Sequence, residues 1–347
     1  MILLTVRDLT HRAVRFVVVT LLGAVVFALL FVMTGLVEQF NREPFDAVRA
    51  IDADAWVLPE GVSGPFTAAP TLPAAAVAEV VADRVAPIVA ARSSLVHDTE
   101  SDEVVLIGVD VGGLGAPATV EGRTLAAAGE AVVDESLGLA VGSDVAVAGA
   151  PFTVVGLTRD TTILAGLPFV YTTTADAQQL VFRSTDVISA VLTAGEVTAQ
   201  PAGTVAIAAD DVATDTLAPL DGAIASIDLV RALLWMVAAI IIGSVVYLSA
   251  LERQRDFAVL KAVGVSNRTL LASLAVQAVF VAVLSVAVAA VIQLGLAPAF
   301  PLRVRVPARA FWQLPLFAVV MALLAGVAGM RRVARSDPAL AFAGAGG

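Results

Sequence analysis

Cysteine and histidine, which commonly carry catalysis or bind metals, are absent or scarce in this sequence. There is no cysteine, and the histidines are His11 and His97, which excludes thiolate chemistry, a disulfide framework and a histidine-based metal cluster. The acidic run at residues 98–103 offers the oxygen ligands that Ca²⁺ takes, but it lacks the glycine and the spacing of an EF-hand loop. We therefore predict a solvated loop at 98–103, with His97 as a loop residue beside it.

Residues 251–266, LERQRDFAVLKAVGVS, have the pattern of a short polar helix that a partner could contact. Phe257 and Leu260 lie near one helical face and would face water without such a partner. Gly264 can end this helix with a positive φ. The capping candidates for the next helix are Ser266 and Asn267. These residues alone fit a plain solvated hairpin equally well.

The C-terminal segment from residue 331 combines charge with a helix-starting pattern. Ser336 or Asp337 can cap a helix, and Pro338 suits its first turn. The arginines that can anchor a span end at anionic headgroups are Arg331, Arg332 and Arg335. A topology anchor alone would explain these arginines but not the capped helix.

Nucleotide binding through a phosphate loop is excluded. The pattern G-x-x-x-x-G-K-[ST] does not occur, because the sole lysine, Lys261, follows Leu260 instead of glycine. We therefore predict that this chain binds no cofactor itself and has no ATPase site.

Hydropathy and charge show which elements must hold these segments. The chain has 347 residues, of which 59% are hydrophobic and 15% charged, whereas soluble chains have about 45–50% apolar and about 25% charged residues. Residues 38–227 carry 26 acidic and 7 basic side chains, a net charge of −19, and the rest carries +9. The two parts must occupy different environments, and the acidic part lacks the basic patch that nucleic-acid binding needs.

Four charge-free stretches are long enough to cross about 30 Å of hydrocarbon as helices. The first is longer than a signal-peptide core and no A-x-A-like site follows it, which predicts an uncleaved anchor. The interiors of the spans contain no Asp, Glu, Lys, Arg or His, which disfavours an ion channel or a proton-driven transporter. We predict an α-helical membrane protein with four transmembrane helices and an α+β extracytoplasmic domain inserted between the first and second.

The predicted segments follow from these stretches. They are 1–15 (cytoplasmic amphipathic helix), 16–37 (first span), 38–230 (outer domain), 231–251 (second span), 252–268 (cytoplasmic coupling loop), 269–297 (third span), 298–309 (outer loop), 310–330 (fourth span) and 331–347 (cytoplasmic tail).

Positive residues near the span ends orient the chain in the plasma membrane. With four spans, ten of them lie on one side and three, Arg303, Arg305 and Arg309, lie on the other. The side with ten is predicted to be the cytoplasm, so that both termini lie inside and residues 38–230 lie outside.

Strand patterns dominate the outer domain. Strands are predicted at 104–109, 131–133, 145–147 and 152–156, the last two as a hairpin. Helices are predicted at 74–89, 135–140 and 175–182.

The coupling loop has a specific resemblance. Glu252-Arg253, an acidic Asp256, and then Leu-Lys-Ala-hydrophobic-Gly at 260–264 resemble the loop signature of the MacB/FtsX-type permeases of ABC transporters. One span, a large outer domain and three further spans is also that family's layout.

Three further stretches agree with this resemblance. Residues 129–145 with 152–157 resemble part of the family's outer domain, and 331–341 resemble its closing motif. Residues 169–173 are reminiscent of the DevC-like branch. The resemblance therefore covers nearly the whole chain.

The resemblance implies a permease that pairs with a second copy or a paralogue and with two copies of a separate ATP-binding subunit. That subunit, and not this chain, would hold ATP and Mg²⁺. The residues expected to contact it are Glu252, Arg253, Asp256, Phe257, Leu260, Lys261 and Gly264, with Arg331, Arg332, Asp337 and Pro338 from the tail. An extracytoplasmic adaptor or hydrolase and membrane lipids are further expected partners.

Two functions are compatible with this family. One is export, or extraction from the outer leaflet, of a lipid-like or amphipathic molecule. The alternative is FtsX-like signalling that controls a cell-wall hydrolase and moves no substrate. The size of the predicted outer domain, 38–230, favours transport, since a hydrolase-binding FtsX domain is usually smaller. An anchored enzyme is disfavoured, because no G-x-S-x-G motif and no cysteine are present.

Overall fold

A computed structural model describes residues 13–252, 259, 263–296 and 304–334. The described residues fall into two compact units. A helical unit holds those up to Glu38 and from Ala225 onward, and a domain holds Gln39–Ile224. The α-helices are α1 (Ala13–Ala50), α2 (Thr174–Val181), α3 (Ala209–Leu217), α4 (Asp221–Glu252), α5 (Asn267–Leu296) and α6 (Ala310–Ala334).

Small apolar residues make the core of the helical unit. Every fourth residue of α6 from Ala310 to Ala322 is buried, and three of these four residues are alanines. They pack with buried residues of the other helices, among them Phe27, Leu30 and Phe31 of α1, Ala238 of α4, and Ala278, Ala282 and Ala289 of α5. Small side chains let helix backbones approach closely, which is the usual basis of packing between membrane helices.

Helix length and hydropathy identify three of the four predicted spans among the described residues. Among the described residues, three helical stretches are long and apolar enough to cross a membrane, namely Val17–Ala50, Ala209–Ser244 and Ala278–Leu296. The apolar stretch Ala310–Leu324 of α6 is shorter, although the helix itself continues to Ala334. The count of four spans therefore stays a prediction.

The domain is built on one eleven-stranded mixed sheet and a two-stranded one. The strands are β1 (Ala55–Pro59), β2 (Leu72–Pro73), β3 (Arg84–His97), β4 (Glu100–Val109), β5 (Glu121–Gly122), β6 (Glu130–Asp134), β7 (Asp144–Val147), β8 (Ala150–Thr158), β9 (Thr162–Ile163), β10 (Leu167–Thr173), β11 (Val187–Ile188), β12 (Ala190–Ala194) and β13 (Thr204–Ala208). The order along the main sheet is β13-β1-β12-β3-β4-β10-β6-β8-β5. β7 pairs with β3 and β8, β9 pairs with β10, and β2 pairs with β11.

Central strands of the main sheet are buried on both faces. In β4, Val105 and Ile107 join one hydrophobic cluster, and Val104 and Leu106 join another. This division follows from the two-residue repeat of a strand, which points successive side chains to opposite faces. The first cluster also contains residues near the end of α1, including Ala47, Val48 and Ile51.

Most of the predicted elements of the domain are confirmed. The strand at 104–109 lies in β4, and the hairpin is β7 with β8, paired antiparallel. The helix at 175–182 is α2, whose N-terminus is capped by the Thr173 hydroxyl. At 135–140 the predicted helix is shorter, a 3₁₀ turn from Glu135 to Leu137.

Two predictions for the domain are wrong. The helix at 74–89 is a 3₁₀ turn over Ala74–Glu79, followed by β3 from Arg84. Pro87 cannot donate the backbone hydrogen bond of a helix interior, and this stretch instead pairs with β12. The loop predicted at 98–103 is instead a tight turn. His97 is the last residue of β3, and β4 already begins at Glu100. The His97 Nε2 lies 3.1 Å from an Asp102 carboxylate oxygen.

Candidate functional site

The turn between α4 and α5 is the described part of the predicted coupling loop. The described part of α4 reaches Glu252, and the Val263 amide donates to the Val259 carbonyl over 3.1 Å, the spacing of a helical turn. Gly264 follows with φ +95°, a conformation that glycine adopts without a steric penalty. The predicted positive φ that ends this helix is confirmed.

Two valines are exposed on this turn. Val259 is 59% exposed and Val263 is 79% exposed, the highest value among the large hydrophobic side chains of the described residues. Residues four positions apart lie on the same side of a helix, so the two side chains form one apolar surface. The sequence reasoning missed this pair, although its spacing could have revealed it.

Ser266 fixes where the returning helix begins. Its hydroxyl accepts from the Thr269 amide over 3.3 Å and contacts the Thr269 hydroxyl at 2.9 Å. α5 then starts at Asn267. Of the capping candidates, Ser266 is therefore the cap and Asn267 the first helical residue.

The remaining predicted contact residues are placed only in part. Arg331 and Arg332 lie within α6. The residues that fall outside the described ranges are Arg253, Asp256, Phe257, Leu260, Lys261, Asp337 and Pro338. Contact of any of these residues with an ATP-binding subunit stays a prediction.

An ion pair joins α1 to the start of α6 in the helical unit. The Arg309 guanidinium, just before α6, donates to the Glu38 carboxylate of α1, whose side chain is 8% exposed. Beside it, a Cβ on Gly35 would lie 2.6 Å from a methyl carbon of Val304 and 3.1 Å from one of Val306. Glycine at 35 thus lets the segment before α6 lie directly against α1. Arg309 therefore forms an ion pair within the helical unit, in addition to any effect of its charge on membrane topology.

In the domain, two carboxylates organise the stretch that resembles the family. The Arg123 guanidinium donates two hydrogen bonds to Glu130, and these bonds lower the pKa of Glu130 to about 2 despite some desolvation. The amides of Ala126 and Ala127 also donate to Glu130, over 2.8 and 3.1 Å. These contacts hold the loop that leads into β6.

Asp134, at the end of β6, is completely buried and hydrogen-bonded. It accepts from the amide and hydroxyl of Thr161, over 2.8 and 2.9 Å, and from the Ser136 amide over 3.0 Å. Tyr171 lies in the adjacent core, where burial, with a smaller contribution from the Asp134 charge, raises the pKa of its phenol. No group of three or more acidic, histidine or cysteine residues suited to a metal ion occurs in the part of the chain that the structure describes.

Comparison with known proteins decides the family. The model of the FtsX-like permease C-terminal family matches residues 229–338. An ABC transporter permease of Mycobacterium bovis is 40% identical over 349 residues, covering 99% of this chain and 100% of that protein. The chain belongs to the MacB/FtsX-type ABC transporter permeases. A second permease, from Mycobacterium tuberculosis, is 36% identical over 348 residues with the same coverage. As an ABC transporter permease, the chain works with an ATP-binding subunit.

Solved structures show weaker similarity to this permease. The extracellular domain of the transporter YknZ is 15% identical and covers 43% of this chain and 84% of its own length, with a TM-score of 0.30. The periplasmic region of MacB from Actinobacillus actinomycetemcomitans is 14% identical and covers 50% and 96%, with a TM-score of 0.34. The family assignment rests on the sequence matches.

Proposed function

We propose that this permease passes conformational change from a separate ATP-binding subunit to the domain Gln39–Ile224, and thereby exports or extracts a lipid-like or amphipathic molecule. The observation that carries the proposal is the exposed pair Val259 and Val263 on the turn between α4 and α5. A contiguous apolar surface on an exposed turn favours a protein partner. Because ABC transporter permeases work with an ATP-binding subunit, that subunit is the proposed partner.

The proposed arrangement in the membrane has four spans, with both termini and the coupling loop in the cytoplasm and the domain outside. The excess of arginine and lysine in the N-terminal segment, the coupling loop and the tail supports this orientation. The proposed complex contains two permeases, identical or paralogous, and two ATP-binding subunits, which hold ATP and Mg²⁺.

Continuity of two helices supports mechanical coupling. α1 runs from Ala13 to Ala50, with Pro44 inside it, so the helix that begins in the helical unit ends among residues of the domain. α4 begins at Asp221, near the end of the domain, and continues to Glu252 beside the coupling loop. A continuous helix transmits displacement along its axis because its hydrogen-bonded backbone resists compression.

Topology is tested first with reporters. A reporter after Gly347 should be cytoplasmic. One inserted at Asp98 should be extracytoplasmic, and that site is suitable because Asp98 lies in the exposed turn between β3 and β4. A cytoplasmic reporter at Asp98 would contradict the orientation and the proposal.

Coupling is tested in proteoliposomes that contain the permease and its ATP-binding subunit. Phe257→Ala and Leu260→Asp should weaken binding of the subunit or uncouple hydrolysis from transfer of a labelled lipid. Insertion should be unchanged, because the spans are untouched. Wild-type transfer with both variants would contradict a role for the loop. ATP-driven domain movement without lipid transfer would favour FtsX-like control of a hydrolase.

A further inference from the structure

A buried carboxylate on α1 has no role in the function proposed so far. Glu43 is 3% exposed. One of its oxygens accepts from the Thr162 hydroxyl over 2.5 Å, and the other accepts from the Ala165 amide over 2.9 Å. A buried carboxyl group is costly unless it is hydrogen-bonded, and each oxygen of Glu43 has a donor here. Glu43 therefore holds the loop 159–166, the connection between β8 and β10 that includes the short strand β9.

The loop 159–166 needs this support because its backbone is strained. Leu164, Ala165 and Gly166 have φ values of 54°, 70° and 101° in succession. The left-handed region is unfavourable for residues with a Cβ and persists only where surrounding contacts enforce it. Ile163 and Leu164 are also buried in the core. The Glu43 carboxylate fixes the Ala165 amide within this strained turn.

The same loop is fastened to the sheet at its other end. Asp134 of β6 holds both the amide and the hydroxyl of Thr161. β10 begins at Leu167, directly after the loop, and lies between β4 and β6 in the middle of the sheet. One short segment is thus bonded to α1 on one side and continues into a central strand on the other.

The contact of Glu43 lies beside a proline within α1. Pro44 follows it and lies inside the helix, where proline removes the backbone hydrogen bond to the residue four positions earlier. The apolar contacts of α1 with the domain core, through Ala47 and Val48, lie beyond this weak point. Glu43 lies before Pro44, on the part of the helix that is continuous with the apolar span.

We infer that Glu43 is a positioning residue that clamps α1 to the loop 159–166, so that displacement of α1 is passed to β10. This inference rests on the proposed function in requiring that α1 moves. Apolar contacts are non-directional and tolerate sliding, whereas the two hydrogen bonds of Glu43 fix one register. The contact with Thr162 and Ala165 is a directional link between this helix and the segment that leads into β10.

The clamp is tested on the full chain in nanodiscs without the ATP-binding subunit. Spin labels at Asn41→Cys and Ser101→Cys report the distance between α1 and β4, and both positions are exposed. We expect Glu43→Ala to broaden this distance distribution and to speed amide exchange at Ala165 by at least about tenfold. Glu43→Gln, which keeps one acceptor oxygen, should restore part of both. An unchanged distribution and exchange rate in Glu43→Ala would overturn the inference.

Two matched variants separate the clamp from general destabilisation. Thr162→Val removes one donor at nearly constant volume and should reproduce the broadening even if Glu43→Ala fails to fold. Asp46→Asn removes an acid three residues further along the same helix and should leave the distribution unchanged. A broadening with Asp46→Asn equal to that with Thr162→Val would overturn the assignment to Glu43.

Transmission is tested in the complex with the ATP-binding subunit. In the wild type, ATP should change the amide exchange of β10. In Thr162→Val, hydrolysis should continue while this change is lost, and an undiminished change would overturn the transmission role. A wild type without any ATP-dependent change would overturn the proposed function and this role together. The nanodisc result would then still report the clamp itself, so the two failures are distinguishable.

Discussion

The exposed valine pair gives the sharpest test of partner binding. Burying a whole valine side chain contributes about 1.5–3 kcal/mol, so covering Val263, which is 79% exposed, should contribute about 1–2 kcal/mol to binding. Val263→Ala removes most of that side chain and should weaken binding of the ATP-binding subunit roughly tenfold. Val263→Asp should weaken it further, since a carboxylate would be desolvated at the interface.

The assay is the dissociation constant of the ATP-binding subunit from the permease in nanodiscs, measured by interferometry. Val111→Ala is the matched control, because Val111 is also exposed, at 52%, but lies in the domain. It should leave the dissociation constant unchanged. If Val263→Asp and Val259→Asp both bind within about twofold of the wild type, less than a contact of this size predicts, the pair is not part of the interface.

Two further perturbations test electrostatic contacts. Arg309→Gln removes the guanidinium that pairs with the buried Glu38 carboxylate and should destabilise the chain in micelles. The expected loss is only about 1–2 kcal/mol, because water screens the largely exposed Arg309 side chain. The double variant with Glu38→Gln should recover part of this loss in unfolding experiments. Arg123 lowers the pKa of Glu130 from 4.5 to about 2, so the pair stabilises the domain fully above about pH 4.5 and progressively less as the pH falls towards 2. The difference in unfolding free energy between the wild type and Arg123→Gln should therefore shrink between pH 7 and pH 3, and a constant difference would contradict the assignment.

Local patterns predicted the elements whose burial is regular. The β-branched run in β4 and the alternation in β7 and β8 identify strands because one or both faces are buried with a two-residue repeat. The stretch 74–89 is rich in alanine and valine and fits a helix equally well by composition. Its pairing with β12, about a hundred residues later in the chain, decides the outcome and has no local signal.

The candidate site was predictable where a single residue dictates backbone geometry. Gly264 predicts a positive φ and Ser266 predicts a helix cap, and the structure has both. Glu43 was not found, because hydropathy falls after Val37 and the charged residues that follow suggest the end of a span. The buried Ala47 shows why α1 continues, since this part of the helix contributes to the domain core, and that contribution depends on tertiary packing.

The Arg309 ion pair also bears on the proposed arrangement in the membrane. Three arginines in the predicted outer loop run against the rule that positive residues remain in the cytoplasm. Arg309 also has a structural role, because it is bound to the carboxylate of Glu38. Glu38 is the last residue of α1 that belongs to the helical unit, so the pair places the start of α6 at that end of the first span. Spans that alternate in direction require the start of the fourth span to lie at this end of the first span, whichever side of the membrane that end faces. The pair therefore supports the proposed arrangement of four spans, and the proposed orientation continues to rest on the excess of positive residues in the predicted cytoplasmic segments.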